Sequence, residues 1–356
     1  MKNNNKNTKT NENDMNMVDR NSSAVSKVTI DDIANALGVS KTTVSRSISG
    51  KGRIGEYTRQ RVMNYIDKMN YHPNVLARGL AESKTYNIGW IVPGDSRIAD
   101  LPFFHKCLSG VCETAAKSNY DVLLSINDGK DVAHIDRVIS NKKVDGVVVG
   151  RTLLDDANIK YLKANGTPFV VIGSTDESDV IQIDNDHFNA CKELTFLLLM
   201  KGIRKIALIV GDSNHVVNHS RKRGFEAAIA ENSALVNDVV IYMDSDGESE
   251  TNKIVDEAIK NKFDCIVCAD DLICANVVKK CQNDRIDIPG DIKIASFYDS
   301  DLLQNCKPGI TAIQYDPKEL GCVACEALLD FIWNGVMSEK IYLRHEIALR
   351  ESTQNI

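Results

Sequence analysis

From Asn87 onward the sequence repeats one pattern, a short apolar run followed by a polar stretch of helical periodicity. The apolar runs fall at residues 88–92, 121–125, 146–149, 169–172, 205–210, 239–243, 264–268 and 292–297, with a last strand-like segment at 341–350. Between most of them lie amphipathic stretches such as 104–118, 187–200 and 221–231. Strands apolar on both faces must be covered on both, and intervening helices supply the long crossovers that parallel pairing requires. The expected fold class is therefore α/β, three layers deep. About 270 residues is large for a single such sheet, so two similar subdomains with a cleft between them are expected over residues 86–352.

The preceding residues read differently. Residues 1–26 form an Asn-rich tail with almost nothing to bury, expected to be disordered. Residues 27–72 read as an all-helical domain, and residues 73–85 as the linker to the body. Charge divides the same way. Residues 1–85 hold 14 Lys and Arg against 8 Asp and Glu, a balance of +6, which leaves −12 for the rest of a chain whose net charge is −6. A basic head on an acidic body is expected where only the head meets a polyanion.

The head can be read residue by residue. Thr29 or Asp31 is placed to cap a first helix with Ile30, Ile33, Ala34 and Leu37 on its apolar face. Gly38 permits the left-handed turn that ends it. Ser40 caps a second helix over residues 41–48, with Val44 and Ile48 turned inward. Lys41, Thr42, Ser45 and Arg46 are left on the outer side, at the end that a recognition helix pushes into the major groove. Thr58 is read as the cap of a third helix that buries Val62, Ile66 and Met69.

This stretch resembles the head of the LacI/GalR (lactose-repressor) family without a gap over about 55 residues. The matching positions are Thr29, Asp32-Ile33-Ala34, Gly38-Val39-Ser40, Thr43-Val44-Ser45-Arg46, Thr58-Arg59, Val62, Tyr71, Pro73-Asn74, Ala77-Arg78 and Leu80. The resemblance implies a helix-turn-helix head whose variable Lys41 and Thr42 choose operator bases, with Ser45 and Arg46 as further groove contacts. Lys41 can donate to guanine O6 and N7, although without the fork of an arginine. Ser40, Thr43 and Arg53 are expected to position phosphates, which fixes register without reading sequence. The linker from Asn74 resembles the family's hinge helix, in which Ala77 meets the minor groove and Leu80 wedges between bases. An ordinary flexible linker is the other reading. Gly79, beside the wedge, costs a helix about 1 kcal/mol relative to alanine.

The body resembles the same family and, through it, the periplasmic-binding-protein-like fold. Asn87-Ile88-Gly89 to Pro93, Pro102-Phe103-Phe104 with Gly110, Val210-Gly211, Arg221 with Gly224-Phe225, Ala269-Asp270-Asp271 and Phe297-Tyr298-Asp299 carry that likeness. It places Arg221 and Asp271 as effector anchors, with Phe103 or Phe104 over an apolar ring face. An ion pair between subdomains is the other reading for the two charged residues, and core packing for the two aromatics. Gly173 stands where relatives have an acidic residue, and Ser245-Asp246-Gly247 where several place an aromatic. That implies a lost carboxylate and no evident stacking residue. A carbohydrate or its derivative is the expected effector; a phosphosugar, or control by a protein partner, stays open.

Other classes find little support. The motif Gly50-Lys51-Gly52-Arg53-Ile54-Gly55 satisfies GxGxxG but joins two helices, whereas a dinucleotide site needs a preceding strand. The pairs Cys265/Cys268 and Cys322/Cys325 read as core residues, with metal or redox chemistry as the alternative. No nucleophile-elbow, phosphate-loop or zinc-protease motif occurs, so no enzyme, cofactor or metal is expected. There is no signal-like N-terminus and no apolar run near the ~20 residues of a membrane span, which points to the cytoplasm. The expected function is a sequence-specific, operator-binding transcription regulator, in all expectation a repressor, tuned by a small-molecule effector. Without a C-terminal leucine heptad after residues 341–350, a homodimer is expected. The rival from another class is a solute-binding protein with no DNA-regulatory role.

Overall fold

In a computed structural model the chain divides into two units, Met1–Arg78 and Gly79–Ile356. The structure describes residues 28–50, 52–72, 79–80, 82–94, 102–127, 131–337 and 340–354. The Asn-rich tail, Asn74 and Ala77 lie outside the described residues.

In the first unit, α1 (Ile30–Leu37) opens on a capping box. The Thr29 amide donates to the Asp32 carboxylate at 2.8 Å and the Asp32 amide to Thr29 Oγ1 at 3.3 Å, satisfying two otherwise orphaned N–H groups. Of the two candidate caps, Thr29 fills the position. Gly38 ends the helix at φ 63°, and α2 (Lys41–Ser49) starts on Ser40, whose Oγ accepts from the Thr43 amide at 3.1 Å. Ile33, Ala34, Val44, Val62 and Ile66 form the core of this small unit. Ser47 is buried among them and donates to the Thr43 carbonyl at 2.8 Å, so its hydroxyl is not stranded. Two expectations fail at the third helix, α3 (Glu56–Lys68). Its N-cap is Gly55 and Thr58 lies inside the first turn, where Glu56 already complements the positive end of the helix. Met69, expected in the core, sits beyond the last helical residue and is 39% exposed.

The second unit holds two six-stranded sheets. The strands are β1 (Asn87–Pro93), β2 (Asp121–Asn127), β3 (Gly146–Val149), β4 (Phe169–Ile172), β5 (Ile181–Asn185), β6 (Lys205–Ile209), β7 (Asp238–Tyr242), β8 (Cys265–Cys268), β9 (Lys293–Ser296), β10 (Thr311–Gln314), β11 (Ile341–Leu343) and β12 (Glu346–Ala348). The helices are α4 (Pro102–Lys117), α5 (Ala133–Ser140), α6 (Ala157–Ala164), α7 (His187–Met200), α8 (Val216–Glu231), α9 (Glu248–Lys260), α10 (Asp271–Asp284), α11 (Asp301–Gln304) and α12 (Pro317–Asn334). The first sheet runs β11-β5-β4-β3-β1-β2, with every pairing parallel. The second runs β12-β10-β9-β8-β6-β7, parallel except for β12, which lies antiparallel to β10. That single strand corrects the all-parallel expectation.

The chain crosses between the subdomains three times: from β5 into α7, from β10 into α12, and between β11 and β12. The segment 341–350, read from sequence as one strand, is in fact the third crossing, with a short strand in each sheet. The strands β5 and β10, which the apolar pattern misses, are the two that feed the other crossings. On its return α12 packs on α4 so closely that glycine is needed on both. A Cβ on Gly321 would lie 2.0 Å from the Cys107 carbonyl oxygen, and one on Gly110 would lie 2.1 Å from that of Lys318.

Candidate nucleic-acid interface and ligand cleft

The outer face of α2 is built as the sequence implies. Its inward side chains, Val44 and Ser47, are buried, which leaves Lys41, Thr42, Ser45 and Arg46 exposed on one face. Arg46 has no ion pair among the described residues, so its guanidinium is free to bond elsewhere. Lys41 is engaged: its Nζ lies 2.5 Å from Asp31 Oδ1. Thr43 is half-buried, and its Oγ1 lies 2.9 Å from Ser40 Oγ. Thr29 has its hydroxyl committed to Asp32 at 2.7 Å, which gives it a structural part irrespective of any DNA contact. Arg53 is exposed in the α2–α3 connection. Leu80 belongs to the second unit, is helical, and shows 86% of its surface to solvent, an unusual state for a leucine without a partner.

In the second unit a cavity of about 180 Å³ lies between the two sheets' subdomains. Its walls are the strand C-termini and the loops beyond them, where open α/β sheets place ligands. Gly150 follows β3, Gly173 follows β4, and Asp184 and Asn185 end β5. Gly211 and Asp212 follow β6, Asp246 follows β7, Asp270 and Asp271 follow β8, and Tyr298 follows β9. All four effector residues named from sequence line it: Phe103, Phe104, Arg221 and Asp271. Arg221 and Asp271 both belong to the second subdomain and make no ion pair among the described residues, so the reading of a bridge between subdomains fails. Phe104 is both core and cavity wall, at 8% exposure, whereas Phe103 is half-buried with its ring edge-on to Tyr298 at 5.8 Å.

Sequence reasoning missed several wall residues. Asp184 accepts from Ser174 Oγ at 2.6 Å and lies 3.5 Å from His187 Nε2, so a carboxylate reaches the cavity wall from the strand beside the one that Gly173 follows. Gly173 holds φ +119°, a conformation side chains rarely adopt, and a Cβ there would lie 2.8 Å from Thr152 Oγ1. Glycine is thus dictated by backbone and by space. Tyr298 adds an aromatic ring to the cavity wall; it was visible within the Phe297-Tyr298-Asp299 motif. Its neighbour Asp299 faces elsewhere chemically, bound by Arg350 at 2.6 and 3.1 Å. Asn218, Arg151 and Asp246 also line the cavity, and no local pattern distinguishes them.

Burial sets the electrostatics. It raises the Asp270 carboxyl to about 6, with Arg221 and the N-cap bond to Ile273 opposing the rise. Asp184 and Asp271 are raised for the same reason. Burial, aided by Arg221, holds His187 well below the ordinary imidazole range, so its ring is neutral at pH 7.

Among the described residues no group of three or more His, Cys, Asp or Glu is arranged to hold a metal, and no helix is long and apolar enough to cross a membrane. Cys265 and Cys268 are buried in the core of the second subdomain, and Cys325 in that of the first. The two CxxC pairs therefore share no site, and burial pushes the Cys325 thiol up to about 12.

Residues 29–74 match the family model of bacterial regulatory proteins, lacI family, and residues 197–353 match a periplasmic binding protein-like domain. The transcriptional regulator MalR of Streptococcus pneumoniae is 30% identical over 330 residues, covering 90% of this chain and 98% of that protein. MalR of Staphylococcus xylosus is 31% identical over 339 residues, covering 92% and 99%. Among solved structures, a "probable maltose operon transcriptional repressor" from Staphylococcus aureus matches with a TM-score of 0.71 at 26% identity, over 77% of this chain and 99% of that one. The lac repressor dimer bound to operator shares the fold with a TM-score of 0.75 at 20% identity, over 92% and 99%.

Proposed function

Because this chain belongs to the LacI family of bacterial transcription regulators, we propose that it is a cytoplasmic repressor that binds a pseudo-palindromic operator as a homodimer and is released or recruited by a carbohydrate. Family membership sets aside the rival of a solute-binding protein without a regulatory role. Residues 27–72 are the DNA-reading head, 73–85 the hinge and 86–352 the effector and dimerisation body. Lys41 and Thr42 choose bases, Ser45 and Arg46 add groove contacts, and Ser40, Thr43 and Arg53 hold phosphates, with Thr29 supporting them through the cap. Leu80 wedges into the minor groove beside Asn74 and Ala77. The exposed leucine supports that role, since a buried end-state on DNA removes its apolar surface from water.

In the cleft, Arg221 and Asp271 anchor sugar hydroxyls while Phe103 and Phe104 cover an apolar face. Relatives named MalR, and the maltose operon repressor structure, make a maltose-type oligosaccharide the first candidate. A single observation carries the effector reading: Arg221 is buried at 8% exposure with Nε unpartnered, and it lines the cleft. A buried guanidinium without a partner is costly unless a ligand completes it. Fluorescence anisotropy on a pool of genomic fragments tests both halves. Arg46→Ala is expected to abolish operator selectivity and leave ligand affinity unchanged, and Arg221→Ala to do the reverse. If Arg221→Ala retains the full ligand response, the cleft assignment is wrong.

A further inference from the structure

The motif Gly50-Lys51-Gly52-Arg53-Ile54-Gly55 is no dinucleotide site, yet it sets three glycines in the connection between α2 and α3. They differ in what surrounds them. Gly50 ends α2 at φ 70°, and a Cβ on it would meet no heavy atom within 4 Å. Gly55 caps α3 in extended backbone, again with open space where a Cβ would stand. Gly52 holds φ +87°, and the three heavy atoms nearest to a Cβ there all belong to Arg46: Cδ at 3.2 Å, Nε at 3.4 Å and Cγ at 3.8 Å. The arginine stem thus runs along the bare backbone of Gly52. The connection is itself held in place, because Arg59 donates from Nη2 to the Gly50 carbonyl at 3.3 Å.

We infer, on the reading of Arg46 as a groove contact, that Gly52 is a specificity-determining residue of the head: the side chain it lacks leaves the channel that directs Arg46. A long exposed side chain samples many rotamers, and fixing one at an interface costs about 2- to 10-fold in affinity. Laying its methylenes along Gly52 removes part of that freedom before DNA arrives, and the charged tip stays available. Any side chain at position 52 must take the space of the stem and turn Arg46 elsewhere. The contact is with a flexible side chain and not with backbone, so the fold of the head absorbs the change. The aim of the guanidinium does not.

Fluorescence anisotropy tests this with full-length protein, an operator that it selects from genomic fragments, and a scrambled duplex of equal length. The ratio of the two affinities is the readout, because a change in the folded fraction cancels from it. Asparagine tolerates left-handed backbone, so Gly52→Asn fills the channel with little strain, and Gly50→Asn is its control. The operator-to-scrambled ratio is expected to fall about threefold or more in Gly52→Asn, less than about twofold in Gly50→Asn, and about fivefold or more in Arg46→Ala. Added to Arg46→Ala, Gly52→Asn should cost less than about twofold further, since the side chain it displaces is already gone. A smaller fall in Gly52→Asn, an equal fall in Gly50→Asn, or full additivity in the double variant each overturns the inference. In all three cases a fall in Arg46→Ala leaves the reading of Arg46 standing. If Arg46→Ala keeps the parent ratio, that reading falls and the role of Gly52 with it. A Gly52→Asn protein that binds neither duplex also overturns the inference, since the geometry requires only that one side chain move.

Discussion

Single residues show most clearly where local chemistry ends and tertiary chemistry begins. Thr29, Gly38 and Ser40 are legible in sequence because a cap or a turn is decided within four residues. Lys41 is not fully so: its partner Asp31 comes from the preceding helix, at 2.5 Å. Both side chains are well exposed, at 68% and 46%, so the pair contributes at most about 1 kcal/mol. Asp31→Asn should free Lys41 and remove a negative charge near the phosphates. Operator affinity is then expected to rise about two- to fivefold at low salt and less at high salt, read by anisotropy. A fall would mean that Asp31 orients the lysine. In the cleft, the Asp270 carboxyl is raised to about 6 from 3.8, so between those values the folded state holds a proton that the unfolded state has released. Stability is thus fully retained below pH 4 and is lost as pH rises toward 6 and beyond. Asp270→Asn cannot ionise and still caps α10, so it should gain about 1–2 kcal/mol over the parent at pH 7.5 and nothing at pH 4. Urea unfolding at the two pH values measures the difference.

At the scale of elements, the periodicity finds what is locally complete and misses what is shared. The helix expected at 187–200 is α7 to the residue, because its apolar face lies within it and its N-cap, Asp186, immediately precedes it. The strands β5 and β10 escape notice because they end in polar residues, Asp184-Asn185 and Gln314, at the points where the chain leaves one sheet for the other. The run 341–350 carries apolar residues on both sides of Arg344 and His345, and nothing local shows that these two divide it between two sheets. The α4–α12 contact was likewise unreadable, since Gly110 and Gly321 stand about two hundred residues apart. Gly321→Ala would place a Cβ 2.0 Å from the Cys107 carbonyl oxygen, backbone that cannot swing aside as a side chain tip would. The helices must separate, at a cost of about 2–4 kcal/mol, which thermal unfolding should show as a lowered midpoint. A variant that unfolds like the parent would mean that the two helices slide freely.

For the whole molecule, the head and the two-subdomain plan follow from sequence, and so do four residues of the cavity wall. The rest of the wall arrives from the ends of many strands, and no short pattern announces residues that meet only through the fold. That same convergence couples the cleft to its margins. Beyond the three crossings, ties between the subdomains include backbone bonds from Leu154 to Asn214 at 2.9 Å and from Val216 to Thr152 at 3.4 Å, the ring contact of Phe103 with Tyr298, and the ion pair of Lys106 with Asp301 at 3.2 Å. That ion pair joins charged side chains, one from the start of α4 and the other from the start of α11. A ligand that fits the closed cleft binds less well when the open form gains population, by the fraction lost. The pair is exposed, so Asp301→Ala should weaken ligand binding by no more than about fivefold. Coupling between sites is reciprocal, so whatever factor the ligand applies to operator affinity, operator applies to ligand affinity. If Lys106 and Asp301 act on closure alone, the variant shifts the ligand concentration at half-response and leaves that mutual factor unchanged, in titrations with and without operator. A changed factor would place the pair in the transmission between cleft and DNA instead of in the closing of the cleft.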